Sequence, residues 1–556
     1  MTKPMKTVLC LLLCFCLIGA AVVPCAFAQE DGLKVLVTTD THFQCAEDLG
    51  DLPAPSEALY TNGMTKEDAE VFYYASSQGQ MNYESGAIMQ KLLDNFAAGE
   101  EEFLLISGDL TGGGRQSHKA LAEMLRRTEQ KCGKPIYVIN GNHDCVAKAD
   151  EKHITMKEFC EIYAEFGYNE ALNRHKDSAS YTVDLNANYR LLALDSCIYG
   201  SDDGEINASV SAWLNEQITQ AKSDKKQLVV MMHHSLLPHF ELQPMIDDYT
   251  DFATLLADNG VSVVFTGHMH ANDISYTKTK KGNVLYDVQT GSLISSPNAY
   301  RSVKFDGKKA DIKSEYITSI DTSLLNFTYT EKQLSGLKNN FSDYAYRYFE
   351  AGVCKWLNRY LGSPYKVAKM LKIKEGDTGY AAIEGLMSRL GSALQLDLYG
   401  DGMSVERIAA MGGKTIAVTD SEKLYQVAAK IMYGFYHGNE AQTSDSRNVE
   451  LLFDCLKASL AYGSLALISP NGKVPEFAVA ALAKINFRDG LADDAVMALA
   501  RTLAGGFTDD LSYEQDIDTV LDLSGSATGS DTIPLSIVRK ILNILREVLR
   551  RLFRIG

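Results

Sequence analysis

Hydrophobic and polar positions follow two different spacings between residue 33 and about residue 290. Short apolar runs predict buried strands at Leu33 to Thr38, Phe103 to Ser107, Pro135 to Ile139, Gln227 to Met232 and Val261 to Thr266. Apolar residues at helical spacing predict helices at Glu84 to Phe96, Ser117 to about Lys131, Thr155 to Phe166, Val210 to Lys222 and Ile246 to Asn259. Ser180 to Leu185 and Tyr189 to Asp195 resemble paired strands. Strands that alternate with helices in this way predict an α/β architecture.

The pattern changes beyond about residue 325. Apolar residues recur there at helical spacing, as in Phe341, Tyr344 and Tyr348, and few prolines interrupt them. We therefore predict a mainly α-helical C-terminal domain at residues 325–524. Its aromatic side chains either form a ligand surface or pack in the core and between domains, and packing is the favoured interpretation.

The N-terminal segment is typical of a targeting signal. Two lysines precede an apolar run from Val8 to Val23, and Ala26 to Ala28 fits a small-residue cleavage pattern before Gln29. Residues 1–28 are predicted to be a signal peptide, so the protein is expected to be exported from a bacterium and secreted or held at the cell surface. A retained anchor and a buried helix are the alternatives.

The C-terminal end has a different character. Residues 525–534 form a small-residue linker, and residues 535–556 are predicted to form an amphipathic helix with six Lys or Arg residues and one Glu. Such a helix is typical of contact with a membrane surface. Packing on its own domain and docking to a partner protein remain alternatives.

Composition narrows the class of protein. The chain has 556 residues, 46% of them hydrophobic and 22% charged, which favours two or three globular domains. A formal net charge of -17 argues against nucleic acid as a general partner, because phosphate contacts need a basic face. The 11 cysteines include four in the leader and show no regular spacing, so no disulfide framework is predicted.

Polar clusters follow the predicted strands, where open α/β sheets build their sites. Each cluster alone could be a polar turn, but six of the 11 histidines fall within them. Imidazole and carboxylate together suit iron, zinc or manganese. The sequence therefore predicts a two-metal site built from these clusters: Asp40 and His42; Gly108 and Asp109; Gly141, Asn142, His143 and Asp144; His233 and His234; Gly267, His268 and His270.

These motifs, in this order, resemble the signature of the calcineurin-like metallophosphoesterase superfamily: Asp-x-His, Gly-Asp, Gly-Asn-His-Asp or Glu, His, and Gly-His-x-His. The resemblance covers roughly residues 33 to 317, and the catalytic domain is placed at residues 33–320. It implies a two-sheet sandwich flanked by helices, followed here by the helical domain. The superfamily's His-x-Pro pattern favours His233 over His234 as a ligand, although Ser235 replaces the proline.

The resemblance also implies a role for each motif residue. Two divalent or transition-metal ions, iron, manganese or zinc, are expected as cofactors. Asp109 would bridge them, and His143 would stabilise the transition state or protonate the leaving group, oriented by Asp144. The remaining ligands divide into one set for each ion: Asp40, His42 and His270 for the first; Asn142, His233 and His268 for the second.

The sequence therefore predicts an exported, binuclear metal-dependent phosphoesterase whose partner is a phosphate-ester substrate. Hydroxide generated at the metal pair would attack phosphorus in a monoester or a diester. Two alternatives stay open. The basic C-terminal helix could bring the site to a lipid phosphoester, or the metal site could be structural in a surface binding protein.

Overall fold

The computed structural model describes most of the chain between residues 32 and 524. The described residues are 32–55, 63–240, 243, 245–361, 374–376, 380–381, 384, 396–416, 422–438, 447–466, 474–487 and 516–524. The predicted signal peptide, linker and basic C-terminal helix lie outside these residues. Within the described part, no helix is both long enough and apolar enough to cross a membrane.

The strands lie in two mixed sheets. Their bounds are β1 Leu33–Thr38, β2 Phe103–Ser107, β3 Ile136–Ile139, β4 Asn173–Arg174, β5 Tyr181–Asp184, β6 Tyr189–Leu194, β7 Gln227–Met232, β8 Val263–Thr266, β9 Asp273–Lys278, β10 Val284–Gln289, β11 Ala299–Asp306, β12 Lys309–Tyr316 and β13 Asp518–Asp522. The first sheet has the order β13-β12-β11-β1-β2-β3, and the second has the order β4-β5-β6-β7-β8-β10-β9.

Parallel strands lie at one side of the first sheet and in the middle of the second, and they carry the polar clusters. In the first sheet β1, β2 and β3 are parallel, and in the second β6, β7, β8 and β10 are parallel. These strands are buried on both faces, which explains their continuous apolar runs. The predicted sandwich is confirmed. Strands β1, β2 and β7 have the predicted bounds, and β3 begins one residue later than predicted.

Helices flank the sheets. Those of the N-terminal part are α1 Ala46–Leu49, α2 Lys66–Val71, α3 Ser85–Ala98, α4 Arg115–Cys132, α5 Met156–Ile162, α6 Ala208–Ser223 and α7 Tyr249–Asp258. Leu92, Leu93 and Phe96 of α3 and Leu121 and Leu125 of α4 are buried, so both helices present an apolar face to the core.

The helices α3 to α7 all differ from their predicted limits by at least one residue, and two of the differences have a clear physical reason. Helix α4 begins at Arg115 with Gly114 as its N-cap, so Ser117 lies inside the helix and does not cap it. The Asp48 carboxylate accepts a hydrogen bond from the Ser117 backbone N–H at 2.7 Å, so an acidic side chain from another element satisfies this helix end. Helix α5 ends at Ile162, where a π turn at Ala164–Tyr168 with Gly167 at φ 114° interrupts the predicted helix.

The C-terminal part is largely helical, as predicted. Its helices are α8 Glu331–Asn339, α9 Phe341–Leu361, α10 Val405–Met411, α11 Leu424–His437, α12 Arg447–Ala466 and α13 Glu476–Asn486. Ile408, Cys455 and Val479 belong to a second apolar core formed by α10, α12 and α13.

Helix α9 packs directly against the N-terminal part. Tyr344 and Tyr348 are buried in the same core as the strands, and the Tyr344 hydroxyl lies 2.7 Å from that of Tyr74. The packing interpretation of these aromatic residues is therefore confirmed. Strand β13 was not predicted: although it lies within residues 325–524, it pairs antiparallel with β12 and extends the first sheet.

Candidate metal centre

Five loops, each following one of the parallel strands β1, β2, β3, β7 and β8, converge at one end of the two sheets. The Asp40 backbone N–H donates a hydrogen bond to the Gly108 carbonyl at 3.1 Å. The Gly267 backbone N–H donates one to the His233 carbonyl at 2.9 Å. The Asp40 carboxylate accepts from the His268 backbone N–H at 2.9 Å and so connects the two sheets. The predicted clusters therefore lie together in one site.

The first group of side chains consists of Asp40, His42 and His270. The Nε2 atoms of the two imidazoles lie 3.2 Å apart, and Asp40 Oδ1 lies 3.7 Å from that of His42 and 3.3 Å from that of His270. Their ligand atoms are close enough to hold one metal ion. Asp40 Oδ1 is buried and accepts no hydrogen bond from any described residue. A buried carboxylate oxygen facing two ring nitrogens fits a cation.

The second group surrounds the side-chain oxygen of Asn142. Asn142 Oδ1 lies 3.0 Å from His233 Nε2 and 3.1 Å from His268 Nδ1. The Nδ1 atom of His233 lies 3.1 Å from the Ser107 carbonyl oxygen, and donation to that carbonyl leaves Nε2 available as a ligand atom.

Asp109 lies between the two groups. Its Oδ2 is 3.6 Å from His42 Nε2 and 3.3 Å from His233 Nε2, and its Oδ1 accepts from the His143 backbone N–H at 2.9 Å. A single carboxylate that faces both groups is the arrangement that a two-metal centre requires.

The charges of the site favour cations. Burial opposes ionisation of Asp109, but His233 and His42 hold the pKa of Asp109 well below its usual range. Burial lowers the pKa of His233, yet the charges of Asp109 and Asp40 raise it to about 9. The same carboxylates that favour a proton on His233 attract a metal ion. Burial and the charge of His233 lower the pKa of His268 to about 4, which keeps this imidazole in its neutral, ligating form.

The backbone of the site is strained. Asp40, His42, Asp109, His268 and His270 have φ values of 47°, 35°, 46°, 72° and 60°. Non-glycine residues seldom adopt positive φ, and such strain persists only where surrounding contacts enforce it, often at functional sites.

His234 occupies a different environment from His233. Its Nδ1 lies 2.9 Å from the Ser196 hydroxyl, and its ring lies 4.6 Å from that of His268 between centroids. It therefore supports the ring of His268, whereas His233 is the histidine whose Nε2 faces Asp109 and Asn142.

His143 is the exposed histidine of the site. About half of its side chain is accessible, compared with 4% for His42. Its Nε2 lies 4.0 Å from Asp109 Oδ2, and its ring packs edge-on to His42. An imidazole in this position can meet a substrate arriving from solvent.

Asp144 does not orient His143, contrary to our expectation. Its carboxylate accepts hydrogen bonds from the backbone N–H groups of Gly141 at 2.8 Å, Leu110 at 3.0 Å and Thr111 at 3.0 Å. No hydrogen bond between it and the His143 side chain occurs among the described residues. Because three amides of two loops converge on one carboxylate, Asp144 holds the Asp109 loop against the Asn142 loop.

Other histidines lie in the core or in loops away from the ligand groups. His118 is fully buried and lies within hydrogen-bonding distance of Thr111, Tyr163 and the Asp144 carbonyl. His239 is buried beside Asp273, at 2.7 Å between Nδ1 and Oδ1, and does not join the ligand groups.

The sequence did not indicate two further neighbours of the site. Asn142 Nδ2 lies 3.4 Å from Asp202 Oδ1. The backbone carbonyl of Tyr436 in α11 accepts a hydrogen bond at 3.1 Å from the N–H of Asn272, two residues after His270. Neither residue lies within a motif, and both reach the site only through tertiary packing.

Comparisons with known proteins agree with this arrangement. Residues 33–272 match the model of the family described as calcineurin-like phosphoesterase. A probable cyclic nucleotide phosphodiesterase of Psychrobacter arcticus is 25% identical over 191 residues, which span 33% of this chain and 61% of that protein.

The solved structures that match this chain are more distant in sequence. A dimetal phosphatase from Danio rerio has 10% identity and a TM-score of 0.39, with 51% of this chain and 96% of that chain covered. A purple acid phosphatase from yellow lupin (Lupinus luteus) seeds has 11% identity and a TM-score of 0.33, and the match covers 52% of each chain. Residues 33–272, less than half of this chain, are therefore similar to calcineurin-like phosphoesterases.

Proposed function

We propose that this protein is a binuclear metal-dependent phosphoesterase. The observation that carries the proposal is the position of Asp109, whose Oδ2 faces His42 of one ligand group and His233 of the other. Asp40, His42 and His270 would hold one ion, and Asn142, His233 and His268 the other. Iron, manganese and zinc suit these donors.

The bound ions would supply charge stabilisation to the phosphoryl oxygens and lower the pKa of a water molecule from 15.7 towards about 7. The chain's own residues provide the rest. Asp40 and Asp109 stay ionised beneath the substrate, because neighbouring histidines lower the pKa of both carboxyl groups against the effect of burial. His143, exposed at the mouth of the site, would hold a proton near the leaving oxygen.

The substrate is proposed to be a small phosphate ester. The Psychrobacter arcticus relative, named as a probable cyclic nucleotide phosphodiesterase, supports a diester over a monoester. Export is proposed on the leader sequence alone, and an extracellular ester would then be the substrate.

The test compares p-nitrophenyl phosphate with bis-p-nitrophenyl phosphate, using metal-reconstituted wild-type protein and Asp109→Asn. We expect the wild type to bind two metal ions per chain and to cleave the diester faster. Asp109→Asn should lose at least about 100-fold in activity, since both ions lose their shared carboxylate.

Asp177→Asn is the matched control, because Asp177 is an exposed aspartate with its carboxylate 3.4 Å from Lys176. It should retain wild-type activity and metal content. A wild-type protein that binds two metals and cleaves neither ester would contradict the proposal and favour a structural metal site. Preference for the monoester would instead indicate a phosphatase.

A further inference from the structure

Asp287 of β10 is fully buried, and its carboxylate accepts hydrogen bonds from two separate segments of the chain. Its Oδ2 accepts from the backbone N–H groups of Leu236 at 2.6 Å and Leu237 at 2.8 Å. Its Oδ1 accepts from the Thr266 hydroxyl at 2.5 Å. Hydrogen bonds to a carboxylate are among the stronger ones in proteins. A single side chain therefore joins the loop that follows β7 to the end of β8.

These two segments carry proposed ligands of the second metal ion. Leu236 lies three residues after His233, and Thr266 lies two residues before His268. The Nε2 of His233 and the Nδ1 of His268 lie 3.0 Å and 3.1 Å from the same side-chain amide oxygen. Metal ligands must be held within about 0.5 Å of their working positions. The distance between the two segments, which Asp287 spans, therefore bears directly on this group of ligands.

A second buried side chain of β10 makes connections of the same kind. Gln289 lies two residues after Asp287, so both side chains project from the same face of the strand. Gln289 Oε1 accepts from the Ser235 hydroxyl at 2.7 Å, and its Nε2 donates to the carbonyl of Ala271, next to His270, at 3.1 Å. Ser235 replaces the proline of the superfamily pattern, and its hydroxyl adds a bond to β10 that proline could not make.

His239 supplies a counter-charge to Asp287 within the core. Its Nε2 lies 3.5 Å from Asp287 Oδ2, and its Nδ1 lies 2.7 Å from Asp273 Oδ1. Burial lowers the pKa of His239, but the charges of Asp273 and Asp287 raise it to about 10. A protonated imidazole between two carboxylates offsets the cost of burying them. The acid that spans the two segments is thus accommodated without contact with solvent.

We propose that Asp287 is a positioning residue for the second metal ion, which it serves by holding the His233 loop and the end of β8 at a fixed separation. The inference rests on the proposed phosphoesterase function and its two-metal centre. Asp144 makes the corresponding connection between the Asp109 loop and the Asn142 loop of the first sheet. Each sheet thus contributes one carboxylate that binds no metal and joins two segments that bear ligands.

The test compares two substitutions of Asp287. Asp287→Ala removes all three hydrogen bonds. Asp287→Asn can keep them, because its amide oxygen can accept from the two backbone N–H groups and its NH₂ can donate to the Thr266 hydroxyl. Manganese(II) is titrated into the metal-free full chain, and unbound ion is measured by its EPR signal. We expect Asp287→Ala to bind the second ion at least about tenfold more weakly and to keep the first, whereas Asp287→Asn matches the wild type.

Two further variants separate positioning from stability. Asp68→Ala is the matched control, because Asp68 is also a buried aspartate but its carboxylate bonds to Arg347 and Tyr425 of the helical part. It should lower Tm and still bind two ions. Thr266→Val keeps the shape of the side chain, removes one of the three bonds, and should weaken the second ion roughly threefold.

Hydrogen exchange of the metal-free chain gives a readout that needs no bound ion. The segment that contains Leu236 and Leu237 should exchange faster in Asp287→Ala than in the wild type, because two amides lose their acceptor. Asp287→Asn should exchange at the wild-type rate. Faster exchange confined to this segment would show a local effect and not a general loss of stability.

Every outcome bears on the proposal. If Asp287→Ala binds both ions as tightly as the wild type, the inference fails, while the proposed function stands. If Asp68→Ala loses the second ion to the same extent, the effect is one of stability and the inference fails. Loss of the second ion from Asp287→Asn as well would overturn the hydrogen-bond account. A wild-type chain that binds fewer than two ions would contradict the proposed function itself.

Discussion

Gly108 determines how closely the end of β2 approaches His233. It has a φ of 97°, and a side-chain carbon there would lie 2.5 Å from His233 Nδ1. That nitrogen faces the Ser107 carbonyl, so a methyl group would displace the imidazole from the orientation that directs Nε2 towards Asp109. The glycine of the Gly-Asp motif therefore allows the backbone turn and also keeps the imidazole of His233 in its orientation.

Gly108→Ala should weaken metal binding at least about tenfold, because a misplaced ligand loses affinity. Metal titration of the apo-protein is the measurement. Gly133→Ala is the control, since Gly133 also has positive φ, 70°, but has open space around the added carbon. It should lose about 1 kcal/mol of stability and keep full metal affinity. Equal metal affinity in both variants would contradict this account of Gly108.

Glu84 is a fully buried acid whose carboxylate accepts a hydrogen bond from the Tyr74 hydroxyl at 2.6 Å. Burial raises the pKa of Glu84 to about 7. The folded state therefore retains the proton over a pH range in which the unfolded chain releases it. The free energy of unfolding should fall as pH rises from about 4.5 to about 7, by about 3 kcal/mol in total from this residue.

Glu84→Gln keeps a hydrogen-bond acceptor for Tyr74 and removes the ionisation. Urea unfolding at pH 5 and pH 8 should show a smaller loss of stability with rising pH in this variant than in the wild type. Asp177→Gln, an exposed acid, should retain the wild-type difference. An unchanged pH dependence in Glu84→Gln would show that this carboxyl does not control it.

At the scale of elements, strand β13, from near the end of the described chain, extends the sheet that begins with β1. The guanidinium of the buried residue Arg301 donates to the Asp516 carbonyl at 2.6 Å, and the Ile274 backbone N–H donates to the Asp516 carboxylate at 2.7 Å. The backbone of β13 then pairs along β12. The segment thus satisfies a buried charge and covers the edge of the first sheet.

A chain ending at residue 515 should lose about 3 kcal/mol or more in stability, because buried Arg301 loses an acceptor. A chain ending at Ser524 keeps β13 and should unfold like the full-length protein. Thermal and urea unfolding of the two truncated chains provide the comparison. If both chains have the same stability, β13 is an accessory strand.

The bounds predicted from the sequence were most accurate for elements that are completely buried. Strands β1, β2 and β7 match their predicted bounds because both of their faces are covered. The start of α4 was missed because its capping group, Asp48, comes from a distant part of the sequence. The end of α5 was missed because the apolar pattern continues to Phe166 through a π turn that the backbone makes at Gly167.

At the scale of the whole molecule, the catalytic and helical parts share a core. The Tyr425 hydroxyl of α11 donates to Asp68 of α2 at 2.8 Å, and Arg347 of α9 donates to the same carboxylate group at 2.8 Å. Polar contacts as well as buried aromatic residues therefore hold the helical part against the catalytic part. These contacts give α11 a fixed position beside the metal centre.

That the basic C-terminal segment, residues 535–556, contacts a membrane surface remains a prediction. With six positive side chains and one negative one, it should bind vesicles containing anionic lipid. A chain ending at residue 534 should bind such vesicles at least about tenfold more weakly in a sedimentation assay. Its activity on a small soluble ester should equal that of the full chain, and its activity on a lipid ester should fall.

Neutral vesicles and high salt provide the controls, since both should abolish the difference between the two chains. Equal vesicle binding by both chains would favour the alternatives, in which the segment packs on its own domain or docks to a partner. Loss of activity on soluble and lipid esters alike would also count against a membrane-targeting role.

The sequence by itself determined the strand order along the chain and the chemical types gathered at the strand ends. Apolar runs specify buried strands, and a polar residue directly after a strand must lie at the sheet's end, so the motif residues Asp40, Asp109 and His268 could be assigned to one site. These are local consequences of periodicity, and they require no knowledge of distant contacts.

Only the tertiary structure decided which side chains face each other. It directed His233 towards Asp109 and His234 towards Ser196, and it placed the Asp144 carboxylate on backbone amides. It also brought β13 to the first sheet and the C-terminal end of α11 to the loop that follows His270. Such contacts join residues far apart in the chain, and they depend on packing and side-chain direction, which local periodicity does not encode.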